Sequence, residues 1–194
     1  PRPFNDGWNV VLVQTFSNAG RYLDTREPPY RREMAELLWH LHELAREYQR
    51  DHDPAGFRQE IIEFTRLWPD PHNALFDFTK NAGRSKWVDD NARRSLEIIQ
   101  KLQGCDRQVL SHTDWSSKHF RFNDAGKVTV VYDWDSIEYL GELSSLAKAA
   151  ATFPYNWYTG QTSHTPTPAE SWGFIADYER ARGVPLTEEQ LCYC

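Results

Sequence analysis

Between Tyr30 and Arg50 the apolar residues Met34, Leu37, Leu38, Leu41, Leu44 and Ala45 recur at helical spacing, and the polar stretch Asp51–Pro54 stops the run. The pattern predicts an amphipathic helix. Phe57, Ile61, Ile62 and Phe64 predict a second helix ending near Trp68-Pro69. Ala92, Leu96, Ile99 and Leu102 predict a third over Trp87–Leu102, with Gly104 as its end signal. The period then shortens: Gln108–Ser111, Phe120–Phe122 and Val128–Tyr132 read as short strands, the last two joined by the turn Asn123–Gly126. Helical spacing returns over Leu143–Phe153 and over Ser171–Arg182, where Phe174, Ile175 and Tyr178 share a face. Thr159–Pro168, rich in Thr, Pro and Ser, reads as an exposed loop, and Val10–Val13 as a short buried strand ahead of the polar Ser17–Gly20. With no internal repeat, the expected fold class is α+β: a mostly helical body with a small β insert.

Composition narrows the function. The 194 residues suit one domain or one large lobe, and 40% apolar with 14% aromatic content marks a chain that folds. A formal charge of −6 excludes nucleic acid as the main partner, because a phosphate backbone needs a basic face. The same acidity is compatible with a cationic substrate. Cys105, Cys192 and Cys194 are an odd number without zinc spacing, which points to a reducing compartment. No apolar run approaches the roughly 20 residues of a membrane span, and no signal segment opens the chain, so no membrane partner and a cytoplasmic location are expected.

The candidate chemistry lies in Ser111-His-Thr-Asp-Trp-Ser-Ser-Lys-His-Phe-Arg-Phe122 and Val130-Val-Tyr-Asp-Trp-Asp135. Asp114 stands in a polar loop and Asp133 at the end of an apolar run. Two carboxylates presented from neighbouring strand ends suit metal-assisted phosphoryl transfer, one receiving a proton while the other holds a divalent cation on a phosphate. A carboxylate at the end of a buried run is costly unless paired or metal-bound, which favours a cation site at Asp133. His112 is placed to orient the loop through hydrogen bonds. Asp135 either supplements the site or faces solvent. His112, Asp114 and His119 also permit a zinc or iron hydrolase, although no further His or Cys lies nearby to complete the shell.

These residues resemble the paired signature of the aminoglycoside phosphotransferase and choline kinase-like group. That signature is a His-x-Asp loop with an Asn five residues on, then a strand ending in Asp-Trp/Phe-Glu/Asp. Met34-Ala-Glu-Leu-Leu-Trp-His-Leu-His-Glu-Leu44 is similar to the group's helix ending in a Leu-His pair, and Phe174–Gly183 to its late helix; the likeness runs from about residue 8 to the C-terminus. The resemblance implies a protein-kinase-like fold and transfer of the ATP or GTP γ-phosphate to a hydroxyl of a small molecule, aminoglycoside-like or an amino-alcohol, with antibiotic resistance among the roles such proteins serve. It implies Asp114 as the acid that accepts the proton of, or orients, the substrate hydroxyl, Asp133 as the ligand of Mg2+, and Lys118 as a cation for the transferred phosphoryl group.

Two positions depart from the group's pattern. His119 stands where a second metal-binding Asn belongs, and imidazole favours a softer ion such as Mn2+ over Mg2+. Ser145 stands where an aspartate usually precedes a Leu-Ala pair, which is expected to loosen support of the catalytic loop. By resemblance, residues 1–20 are an inter-lobe hinge strand and linker, with Gln14 and Phe16 at the nucleotide, and residues 21–194 a helical C-terminal lobe. The N-terminal nucleotide lobe is expected to be absent from this chain, supplied by a partner chain or lost. Two alternatives stay open: an impaired lobe acting as a binding or scaffold subunit through Trp8 and Phe153–Tyr158, and a kinase acting on Ser or Thr of a peptide.

Overall fold

Three helices supply most of the interior: α1 (Pro28–Asp51), α3 (Glu142–Thr152) and α4 (Pro168–Arg182). The computed structural model describes residues 2–5, 10–13, 17–59, 82–159 and 165–194. Helix α1 buries Met34, Ala35, Leu38, His42 and Ala45, a line advancing about one residue per turn. This face is rotated from the one the leucines predict. Leu44 is 63% exposed, and His42, fully buried, takes the inward place. Against that line pack Leu143, Leu146, Ala149 and Ala150 of α3, Phe174, Ile175 and Tyr178 of α4, and Phe153. Each such large apolar side chain contributes about 1.5–3 kcal/mol relative to an exposed one.

Four features fix the helix ends. Thr167 and Glu170 form a reciprocal capping box with Pro168 in the first turn of α4, and Gly183, in the left-handed conformation, closes its C-terminus. A second capping box, Thr187 with Gln190, starts the short α5 (Glu188–Tyr193). At α3 the cap comes from outside the helix. Asp106 accepts hydrogen bonds from the amides of Leu143 (2.7 Å) and Ser144 (3.1 Å) and from the Ser144 hydroxyl (2.9 Å). This requires Gly141, because a Cβ there would lie 1.8 Å from Asp106 Oδ2. Gly141→Ala is therefore expected to displace the cap and lower stability by about 1–3 kcal/mol. Urea unfolding would read this as a lower midpoint, and an unchanged midpoint would mean that Asp106 does not anchor the helix.

Strand β4 (Gln108–His112) pairs antiparallel with β7 (Ile137–Gly141), and β3 (Arg58–Gln59) adds in parallel on the far side of β7. β5 (Phe120–Phe122) and β6 (Val128–Val131) form a separate hairpin across the expected Asn123–Gly126 turn. An antiparallel pair, β1 (Arg2–Asn5) and β2 (Val10–Val13), stands at the N-terminus. Helix α2 spans Ala82–Leu102. Two expectations differ. Phe57 lies in a bend before β3, outside any helix, while Ile61–Pro69 fall outside the described residues. β7 occupies a stretch in which no strand is expected; it forms because β4 and β3 hydrogen-bond both of its edges.

The segment after β2 returns to the hairpin. Arg21 and Phe122 exchange backbone hydrogen bonds of 2.8 and 2.9 Å, Thr129 Oγ1 donates to the Ala19 carbonyl (2.8 Å), and the Tyr132 hydroxyl donates to the Ser17 carbonyl. The expected linker thus runs beside the strand that leads to Asp133, while Gln14, Phe16 and Trp8 lie outside the described residues. Among the described residues no helix is long and apolar enough to cross a membrane.

Candidate active site

Strand β4 ends at His112, and the loop beyond it is tied down on three sides. Thr113 donates to the Ser136 carbonyl through both its amide (2.9 Å) and its hydroxyl (3.0 Å). The buried Trp115 indole donates to Met34 O of α1 (3.1 Å). The turn Ser117–His119 is held to the segment after α3, with Ser117 N on Phe153 O (2.9 Å), Lys118 N on Tyr155 O (3.1 Å), and the buried Asn156 amide on Ser117 O (3.2 Å). His112 Nε2 lies 2.9 Å from the Tyr132 carbonyl, and the Asp114 amide donates to His112 Nδ1 at 3.2 Å. A carbonyl only accepts and an amide only donates, so the ring is the neutral Nε2–H tautomer. Burial lowers its pKa and keeps it so. His112 thus has the loop-orienting place expected of it. With both ring nitrogens engaged it offers none to a metal, which removes the two-histidine hydrolase set.

Asp133 lies two residues beyond the end of β6 with φ 65° and ψ 39°, the only non-glycine residue in the left-handed region among those described. Aspartate tolerates this conformation better than most residues. Its carboxylate accepts from the Ser136 hydroxyl at 2.8 Å. Burial does not account for a cation site at Asp133: β6 is only half-buried and the Asp133 side chain is 35% exposed. Convergence places the group instead. His119 Nε2 stands 3.1 Å from Asp114 Oδ2 and 3.5 Å from Asp133 Oδ2, and one ligand atom from each of the three residues lies within 4.8 Å of the others. Two carboxylate oxygens and one imidazole nitrogen, once that nitrogen gives up the proton it shares with Asp114, fit a divalent cation, and the nitrogen tilts the preference from Mg2+ toward Mn2+. Asp135 is exposed in the turn Trp134–Ser136 and not on a strand.

Hydrogen bonds from His119, then from Lys118 (2.7 Å) and Ser116 (2.8 Å), hold the Asp114 carboxyl well below the ordinary carboxylate range despite its partial burial. Such a carboxylate is a weak base. It is suited to orienting a hydroxyl more than to stripping its proton early, and a loose phosphoryl-transfer transition state asks little more. Lys118 is itself enclosed, its ammonium 4.6 Å from the Trp157 ring centroid and 5.1 Å from that of Tyr155. A cleft of about 360 Å³ opens beside them, lined by Asp114, Lys118, Ala151, Thr152, Tyr155 and Thr165. In the scaffold alternative the aromatic run is a candidate docking surface. The structure buries Phe153 and sets Tyr155 and Trp157 against Lys118, while Trp157 and Tyr158 stay largely exposed.

Below β4 lies a network that joins His42 of the Leu41-His42 pair to Ser145 and further side chains, a connection the sequence does not reveal. The Tyr178 hydroxyl donates to Glu142 (2.8 Å), so it accepts from His42 Nδ1–H (2.7 Å), and His42 Nε2 accepts from the Ser111 hydroxyl (2.8 Å). Ser145 joins at 2.7 Å from Ser111 and 3.3 Å from His42 Nε2. Ser145 therefore supports the strand that carries the loop, through neutral hydrogen bonds where an aspartate would bring a charge.

Against solved structures, the chain is similar to an ethanolamine kinase of Plasmodium vivax, at 18% identity over 92% of this chain and 51% of that one, with a TM-score of 0.51. A macrolide 2′-phosphotransferase of Brachybacterium faecium matches at 14% identity, 89% and 52% coverage and a TM-score of 0.47. An AMP-bound spectinomycin phosphotransferase matches at 14%, 91% and 56%, and 0.48. No family model and no curated protein sequence matches the chain. The likeness to the ethanolamine kinase is one of fold, and it bears out the resemblance to the aminoglycoside phosphotransferase and choline kinase-like group at that level. The chain spans about half the length of that ethanolamine kinase.

Proposed function

We propose that this chain is the hinge and C-terminal lobe of a phosphotransferase that moves the γ-phosphate of ATP or GTP to a hydroxyl of a small molecule, aminoglycoside-like or an amino-alcohol. The observation that carries the reading is the convergence of Asp114, His119 and Asp133 on one point. Asp133 and His119 would hold the divalent cation, Mn2+ in preference to Mg2+, and a bound ion would supply charge neutralisation on the nucleotide phosphates. Asp114 orients the acceptor hydroxyl in the cleft beside Tyr155. Lys118 exchanges its ion pair with Asp114 for the transferred phosphoryl group. The reading requires a nucleotide-covering lobe, supplied by further sequence or a partner chain.

Calorimetry with ATP, with and without Mn2+, tests it against Asp133→Asn, which puts another residue tolerant of the left-handed backbone in place of the aspartate and removes the charge. Metal-dependent nucleotide binding is expected in the wild-type chain and at least tenfold weaker in the variant. Binding in neither would favour the alternative, a partner-binding module. That alternative draws on Trp157 and Tyr158, 53% and 61% exposed beside the cleft.

A further inference from the structure

A second cleft, about 330 Å³, borders the opposite end of α3, with Trp39, Arg46, Arg107, Glu142, Leu143 and Arg182 in its wall. The catalytic cleft meets α3 at Ala151 and Thr152, and nine residues of helix place the two roughly 13 Å apart along the axis. The charges in this wall do not cancel. Arg46 engages both carboxylates, Glu43 at 2.6 Å and Glu142 at 2.7 Å, while its guanidinium lies 4.7 Å over the Trp39 ring. Two cations then remain. Arg182 spends Nη1 on the neutral carbonyls of Val184 (3.2 Å) and Pro185 (3.3 Å), and Arg107 is exposed. Among the described residues neither has a carboxylate partner. Three arginines from α1, from the approach to β4 and from the end of α4 thus meet two glutamates in one concavity, on a chain whose overall charge is −6.

We propose that this cleft binds a small oxyanion, a phosphate or carboxylate group on a compact body, with Arg107 and Arg182 as its ligands. Guanidinium forks match the paired oxygens of either group, and the volume admits a small organic anion. The site is independent of the phosphotransferase reading, because it shares no residue with the catalytic cleft.

The test is calorimetric titration of the whole chain with inorganic phosphate and, separately, with citrate, at low ionic strength and without divalent cations. Both anions are expected to bind the wild-type chain, and the stronger one identifies the preferred group. Arg107→Gln with Arg182→Gln should weaken binding at least tenfold. Arg107→Gln alone, whose side chain bonds nothing among the described residues, should weaken it several-fold. Lys118→Gln should leave the binding that depends on Arg107 and Arg182 in place. Absence of binding, equal binding by the double variant, or loss in Lys118→Gln would overturn the proposal, the last by placing the anion in the catalytic cleft.

Discussion

Asp114→Ala, in the chain completed by a nucleotide-covering lobe, is expected to slow phosphoryl transfer by about 10²–10⁴-fold, the range for removing a positioned acid–base group, while leaving metal-dependent nucleotide binding nearly intact. On the proposed reading the two readouts would separate because Asp133 and His119 would still hold the cation. Lys118 keeps its seat over Tyr155 and Trp157 without the carboxylate. Nucleoside diphosphate release over a panel of hydroxyl compounds, with Mn2+ present, measures the first quantity, and calorimetry the second. The pH profile adds a sign. Because its hydrogen-bond partners hold the Asp114 carboxyl below the ordinary range, the group is already ionised throughout the region near neutrality. The rate should therefore show no inflection between about pH 5 and 7 from this residue. A variant that transfers as fast as the wild-type chain would remove Asp114 from the reaction.

The other large effect concerns stability in acid. His42 is fully buried, and desolvation, assisted by the Arg46 charge, drives its pKa down from 6.5 to about 3. The unfolded chain thus takes up a proton between those values that the folded chain refuses. Stability from this group is complete above about pH 6.5 and is lost as the pH falls toward 3, at up to about 1.4 kcal/mol per unit. In His42→Leu the Tyr178–Glu142 and Ser111–Ser145 hydrogen bonds survive as closed pairs. The variant is therefore expected to lose about 1–3 kcal/mol at pH 7.5 and to show a visibly flatter decline on acidification. Burial also lowers the His112 pKa, so some slope remains in the variant. Urea unfolding of both chains at pH 7.5 and pH 5 gives the comparison. Parallel losses in the two would mean that His42 accepts a proton in place.

How much of this was readable beforehand depends on how far apart in the sequence the interacting residues stand. The acidic pair, the hairpin and the long helices announce themselves through local periodicity and motif spacing. The inward place of His42 does not, because its partners Ser111 and Tyr178 are 69 and 136 residues away. Leu44 offered a more ordinary candidate for the same face. The cover over Lys118 is likewise hidden: the aromatic run is visible, but only the path of the chain after α3 decides that it turns to the Ser117–His119 turn. β7 was missed because its pattern is weak on its own and its partners lie on both sides of it.

The left-handed backbone at Asp133 has an evolutionary consequence. Most replacements there strain the chain by roughly a kilocalorie or more, so drift at this codon meets resistance whatever the selection on activity. Asparagine and glycine escape that resistance, and both discard the charge. One nucleotide change is enough to make either of them, so a descendant could lose this candidate cation ligand in one step, its architecture untouched.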